Sequence, residues 1–217
     1  MSLESFGIEG ADARSSDLEA DVLKLHRALN KALGNDLLAE EVETWIDRIR
    51  IFGFHLARLD IRQDSRQYEG VMNELLEKSG ICDKVADLSE TQRQEVLSDS
   101  LTTPVDLSDQ PLSDDARETL ALFSLLKRIV AAFGLQALGG HVVSMTRVPS
   151  DLLTVLWLWE HAGSNLNSES PEQLPPLPMV PLFETIVDLQ EAPAIMESLL
   201  SVPSYREHLA RQANHEI

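Results

Sequence analysis

Three short apolar runs, each followed directly by a helix-type pattern, constrain the fold of this chain most strongly. A strand, a helix and a further strand in one sheet are expected to give parallel pairing, with the helix packed on the sheet. The sequence therefore predicts a parallel α/β fold. The predicted strands are "FHLARLDIR" at 54–62, "LGGHVVSM" at 138–145 and "LPMVPLFET" at 177–185.

Most of the remaining sequence has the 3.6-residue periodicity of amphipathic helices. Ser89 and Ser113 precede two of these patterns as N-caps, and Gly80 ends another. Long helices between few short strands predict a helix-dominated α/β fold. The segments with helical patterns are 17–33, 37–53, 64–80, 90–101, 113–134, 149–163, 187–200 and 202–217.

The composition argues against several classes of partner. The chain has 18 Lys and Arg against 36 Asp and Glu, and its net charge of −18 repels nucleic acid and anionic membrane surfaces. No apolar run approaches the roughly 20 residues that a membrane span needs. We therefore expect a cytoplasmic protein that binds neither. Cys82 is the only cysteine, which excludes an internal disulfide, and the sequence contains no P-loop, GxGxxG or GxSxG motif.

Polar residues stand at the carboxyl ends of the predicted strands, where parallel α/β proteins carry their catalytic groups. They are Arg62, Ser144 and Glu184. An arginine binds phosphate or carboxylate through two parallel hydrogen bonds, and a glutamate ligates Mg²⁺ or Mn²⁺. This set suits an anionic substrate chelated by a metal.

A structural interpretation of the same residues stays open at this point. In it, Arg62 pairs with Asp60 or Asp64. Ser144 caps the next helix, and Glu184 is a solvated strand end. His55 and His141 also lie in strand patterns, where a histidine either ligates a metal or serves a structural role. Trp157 and Trp159 lie on a largely apolar helix and are expected in a core or an interface.

Three segments, in this order and at these separations, resemble phosphoenolpyruvate carboxylase: "FGFHLARLDIRQDSRQY", "ALGGHVVSMTRVPSDLL" and "LPMVPLFETIVDL". The resemblance runs from about Ile51 to the C-terminus. That family folds as a (β/α)₈ barrel with many additional helices, so the resemblance implies a partial TIM-type barrel here. It also implies the family reaction, in which phosphoenolpyruvate and bicarbonate give oxaloacetate and phosphate with Mg²⁺ or Mn²⁺.

The resemblance assigns roles to three residues. Glu184 is similar to a metal-binding carboxylate, and Arg62 to a catalytic arginine that holds the substrate phosphate. Leu182 is similar to part of the apolar wall around the substrate methylene. In the family mechanism bicarbonate attacks the phosphate, and the resulting enolate of pyruvate adds to CO₂. His141 stands where the family commonly has an aromatic residue.

The family's upstream histidine motif, its second metal carboxylate and its glycine-rich arginine loop have no counterpart in this sequence. We therefore expect an inactive central fragment of a longer carboxylase, whose partners are phosphoenolpyruvate, bicarbonate and the rest of the parent chain, in a homo-oligomer. Its expected parts are a vector remnant at 1–3, a helical segment at 4–50 and a partial barrel with long helical insertions at 51–217. The alternative is a non-catalytic interaction module that binds a partner through the apolar Trp157 helix.

Overall fold

The structure, a computed structural model, describes residues 15–33, 37–54, 58–107, 109–162 and 174–212. The chain divides into two compact units, one ending at Arg58 and one beginning at Leu59. The predictions for residues 1–3 and for His55 lie outside the described residues.

The first unit contains two helices, α1 (Ser15–Leu33) and α2 (Leu37–Phe52). Their apolar faces meet in a small core whose buried members are Val22, Val42 and Ile46. The 3.6-residue spacing of these side chains explains why this stretch is helical. Trp45 shares the predicted apolar face of α2, yet its side chain is exposed.

The second unit is built on a three-stranded parallel sheet of β1 (Leu59–Asp64), β2 (Leu138–Ser144) and β3 (Met179–Leu182), in that order. The predicted parallel α/β class is therefore confirmed. The first strand differs from its prediction, because it begins at Leu59 and continues two residues beyond Arg62. Three strands in one sheet establish the parallel arrangement, and a partial barrel remains a proposal.

Helices connect and cover the strands of the second unit. The Ser89 and Ser113 caps are confirmed, since their hydroxyls accept the N–H groups of Gln92 and Ala116. No helix in the described part of the chain is long and apolar enough to cross a bilayer. The helices are α3 (Ser65–Lys78), α4 (Glu90–Ser100), α5 (Asp114–Phe133), α6 (Pro149–His161), α7 (Ile186–Ser201) and α8 (Pro203–Gln212).

Helix α6 forms the centre of the core. Every residue from Leu152 to Trp159 is buried, and the indole Nε1 of Trp157 donates to the Ser100 hydroxyl at 2.9 Å. The tryptophans were predicted to lie in a core or an interface, and their burial confirms the core. The hypothesis that the Trp157 helix binds a partner is wrong. This helix, α6, is packed on all sides and presents no surface to a partner.

Two glycines allow β1 and β2 to approach closely. The Gly140 N–H donates to the Asp60 carboxylate at 2.8 Å, and a Cβ at Gly139 would overlap that same carboxylate. Asp60 is therefore occupied by the β2 backbone, so the alternative in which it pairs with Arg62 is wrong.

His141 is a structural residue of the core. Its side chain is buried, its Nε2 lies 2.8 Å from the Tyr68 hydroxyl, and its ring lies 5.3 Å from that of Phe123, centroid to centroid. Burial lowers the pKa of His141 to about 4, because the apolar surroundings disfavour the imidazolium form. The imidazole ring of His141 is thus neutral and packs against aromatic rings.

Candidate functional site at the carboxyl edge of the sheet

The sheet brings Arg62 and Glu184 together at its carboxyl edge. Arg62 lies two residues before the end of β1, and Glu184 lies two residues after the end of β3. The Arg62 guanidinium forms an ion pair with the Glu184 carboxylate although 122 positions separate them in sequence. Since β2 is the central strand, this pair connects the two outer strands in front of it.

The ion pair between Arg62 and Glu184 contradicts two parts of the structural interpretation. Arg62 does not pair with Asp64, because Asp64 caps α3 by accepting the Arg66 N–H at 2.9 Å and also binds the Arg66 guanidinium. Hydrogen bonds from Arg66 hold the pKa of Asp64 down at about 2. Glu184 is a paired carboxylate instead of a solvated strand end.

Ser144 and Leu182 end their strands opposite one another. Ser144 is buried, and its hydroxyl donates to the Gln63 carbonyl at 3.1 Å, so the predicted cap on α6 is wrong. Leu182 is partly buried, and its carbonyl accepts the Thr146 N–H at 3.2 Å. Both residues thus hold the strand ends in register beside the ion pair.

The loop between β2 and α6 contributes a second arginine that the sequence analysis missed. Arg147 follows Ser144 by three residues, and its Nε lies 3.5 Å from Oδ1 of Asp188 in the first turn of α7. The signal was present in "TRVPSD", where a basic residue stands two positions after the end of a predicted strand. Thr185 and Asp188 also have the spacing of a capping box, which predicts the start of α7.

Asp188 is itself held in place. Its Oδ2 accepts the Thr185 N–H at 3.1 Å, while its own N–H donates to the Thr185 hydroxyl at 3.0 Å. Hydrogen bonding to Thr185 and the nearby Arg147 charge keep the pKa of Asp188 below its usual range, although its burial acts in the opposite direction. Asp188 therefore presents a fixed negative charge to Arg147.

Carboxylates at this edge suit a divalent cation only as part of a larger ligand set. Within the described residues, no three His, Cys, Asp or Glu side chains form a group that could hold a metal. Mg²⁺ is commonly bound through one or two carboxylates plus water and substrate oxygens. Glu184, a partly exposed carboxylate beside an arginine, fits one such ligand.

The fold and this edge define a parallel α/β protein with a paired arginine and glutamate at the strand ends, where proteins of this class carry their catalytic groups. The sequence profile of one family, phosphoenolpyruvate carboxylase, matches residues 9–217. The chain belongs to the phosphoenolpyruvate carboxylase family. The match begins well upstream of Ile51, the residue at which the resemblance noted in the sequence begins.

Individual relatives agree with this assignment. The chain is 38% identical over 176 residues to a phosphoenolpyruvate carboxylase of Gloeobacter violaceus, covering 80% of this chain and 18% of the relative. It is 35% identical over 185 residues to that of Prochlorococcus marinus strain MIT 9312, covering 84% and 18%. For Prochlorococcus marinus subsp. pastoris the identity is 33% over 211 residues, covering 96% and 20%. The chain therefore spans about a fifth of the length of these relatives.

Proposed function

We propose that this chain supplies part of the active site of a phosphoenolpyruvate carboxylase, which joins phosphoenolpyruvate to bicarbonate and gives oxaloacetate and phosphate. The observation that supports it most is the Arg62 and Glu184 pair at the carboxyl edge. Both residues lie in segments that match the family. In this proposal the remainder of a longer, cytoplasmic, homo-oligomeric parent supplies the other catalytic groups.

Arg62 binds the substrate phosphate in this proposal. Its planar guanidinium offers two parallel N–H donors, which match two phosphate oxygens, and it carries its charge at every physiological pH. The side chain is 59% exposed, so a ligand reaches it without disturbing the core. Leu182, at the end of β3, contributes apolar surface beside the substrate methylene.

Glu184 holds Mg²⁺ or Mn²⁺ in this proposal. The bound cation would stabilise negative charge that develops on enolate and phosphate oxygens. The ion pair between Arg62 and Glu184 neutralises both charges when no ligand is present, so a ligand of either residue competes with this pair. The surrounding protein must also exclude water, because water would protonate the enolate to pyruvate.

The test uses the full-length protein that contains this segment, with metal and phosphoenolpyruvate varied independently. Glu184→Gln should raise the metal concentration for half-maximal activity by about tenfold or more, since even indirect partners of metal ligands contribute that much. Arg62→Lys keeps the charge but loses the two-pronged geometry, and should lower turnover about tenfold at saturating metal.

Arg66→Lys is the matched control, because Arg66 pairs with Asp64, the N-cap of α3, whereas Arg62 pairs with Glu184. It should keep wild-type kinetics. Both site residues are outside the packed core, so thermal melts of all three variants should match the wild type. Wild-type kinetics in Glu184→Gln and Arg62→Lys, or losses explained entirely by unfolding, would show that the proposed roles are wrong.

The exposed apolar side chains next to the site are consistent with the proposal that this segment is part of a larger protein. Ile186, Val187 and Leu189 lie at the start of α7, two to five residues after Glu184, and are 77%, 65% and 59% exposed. Apolar surface of this kind is normally covered in a folded protein or assembly. The parent chain or a second subunit would cover it.

A further inference from the structure

Arg147 lies in front of the central strand, between the groups that end the two outer strands. Its Nε is 3.5 Å from Asp188, which follows β3. Hydrogen bonds from Arg66 are the main cause of the low pKa of Asp64, which ends β1, and the positive charge of Arg147 adds a smaller effect. The guanidinium is therefore at the same carboxyl edge as the pair formed by Arg62 and Glu184.

The backbone that carries Arg147 is held from several sides. Oδ2 of Asp151 accepts the N–H groups of Arg147 and Val148 at 2.8 and 3.1 Å. The Met145 carbonyl accepts the Ser65 hydroxyl at 2.9 Å. Met145 has a φ of 58°, a left-handed conformation that costs free energy for a residue with a side chain and that persists where the surroundings impose it.

The side chain of Arg147 has donors to spare. It is 52% exposed, and its contact with Asp188 is long compared with the usual 2.7–2.9 Å of a charge-assisted hydrogen bond. A guanidinium has five N–H donors, so among the residues that the structure describes the long contact with Asp188 leaves most of them for a ligand. Arg66, on the same edge, instead places two nitrogens on Asp64 at 3.0 and 2.6 Å.

These observations describe an arginine whose backbone is held in place and whose guanidinium keeps donors available for an anion. We propose that Arg147 is a second anion-binding arginine of this site and holds an oxyanion of phosphoenolpyruvate, either its carboxylate or its phosphate. Asp188 is the acidic neighbour of this arginine, 3.5 Å from its Nε. The inference rests on the proposed function and adds a substrate-binding residue to it.

The test compares Arg147→Gln and Arg147→Lys with Arg66→Gln in the full-length enzyme. Arg147→Gln should raise the KM for phosphoenolpyruvate about tenfold or more, as expected for a lost hydrogen bond between charged groups. Its metal requirement and thermal melt should stay at the wild-type values. Arg147→Lys keeps the positive charge but loses the planar guanidinium with its parallel donors. It should raise the KM at least about twofold. Arg66→Gln should leave the KM unchanged.

Two inhibitors identify the group that Arg147 holds. Weaker inhibition of Arg147→Gln by inorganic phosphate assigns the phosphate, and weaker inhibition by pyruvate assigns the carboxylate. A wild-type KM in both Arg147 variants, with Arg62→Lys and Glu184→Gln impaired, would overturn this inference alone. If the glutamine variant melts early, the lysine variant decides by the same KM criterion. Unaltered kinetics in the Arg62 and Glu184 variants would overturn the proposed function and this inference together.

Discussion

Replacing His141 with phenylalanine should remove a specific part of the pH dependence of stability. The fold disfavours the imidazolium, since burial lowers the His141 pKa from 6.5 to about 4. Between these two values the unfolded chain binds more protons at this site than the folded chain does. Stability from His141 is therefore fully present above pH 6.5 and is lost as the pH falls towards 4.

The size of the effect follows from the two pKa values. Linkage gives a loss of about 1.4 kcal/mol between pH 8 and pH 5.5 for one group whose pKa changes from 6.5 to about 4 on folding. His208, which is also buried with a lowered pKa, adds a loss of the same sign. Burial raises the pKa of Asp151 to about 6, which acts in the opposite direction. Both groups remain in His141→Phe, so they cancel in the comparison with the wild type.

The assay is urea unfolding of both proteins at pH 5.5 and pH 8, followed by circular dichroism and tryptophan fluorescence. The free energy of unfolding of His141→Phe, relative to the wild type, should increase by about 1.4 kcal/mol on going from pH 8 to pH 5.5. Phenylalanine suits this site, because its neighbours include the rings of Tyr68 and Phe123.

Tyr68→Phe is the control, since it removes the hydroxyl that contacts His141 but keeps the imidazole buried. It should lower stability by about 1–3 kcal/mol at both pH values, the usual cost of leaving a buried polar atom unsatisfied. It should also keep the wild-type pH dependence. Parallel pH profiles for the wild type and His141→Phe would refute the reasoning, because they would show that His141 does not titrate differently in the folded and unfolded states.

Three further outcomes are expected. Gly139→Ala should lower the free energy of unfolding in urea by about 1–3 kcal/mol, because the new Cβ would overlap the Asp60 carboxylate. Gly70→Ala in α3 should raise that free energy by about 0.5–1 kcal/mol, because the space around Gly70 is open. Trp157→Ala should cost about 3–5 kcal/mol in the same assay, and a change below 1 kcal/mol would contradict its place in the core. The isolated 217-residue chain should form no oxaloacetate in a coupled assay, since catalytic groups that act as a unit lose most of the rate when members are missing; turnover that survives rigorous purification would disprove this.

Much of the local structure followed from the sequence. The helices that begin after Ser89 and Ser113 were predicted from caps and periodicity, because these depend on residues within a few positions of one another. The order of strands and helices predicted the parallel sheet, since a helical crossover between strands of one sheet leaves few alternatives. The predicted first strand began at Phe54, whereas β1 begins at Leu59, since pattern alone does not fix where pairing with β2 begins.

Only the tertiary structure decided how distant side chains meet. The sequence proposed Arg62 and Glu184 as separate strand-end residues, but their ion pair depends on the sheet placing β1 and β3 on either side of β2. The contact between Arg147 and Asp188 was also not visible in the sequence, where 41 positions separate the two residues. Burial of His141 likewise depends on Tyr68 of α3 and Phe123 of α5, which pack against its ring. Such contacts follow from packing between elements, and local pattern and propensity carry no information about which distant groups that packing brings together.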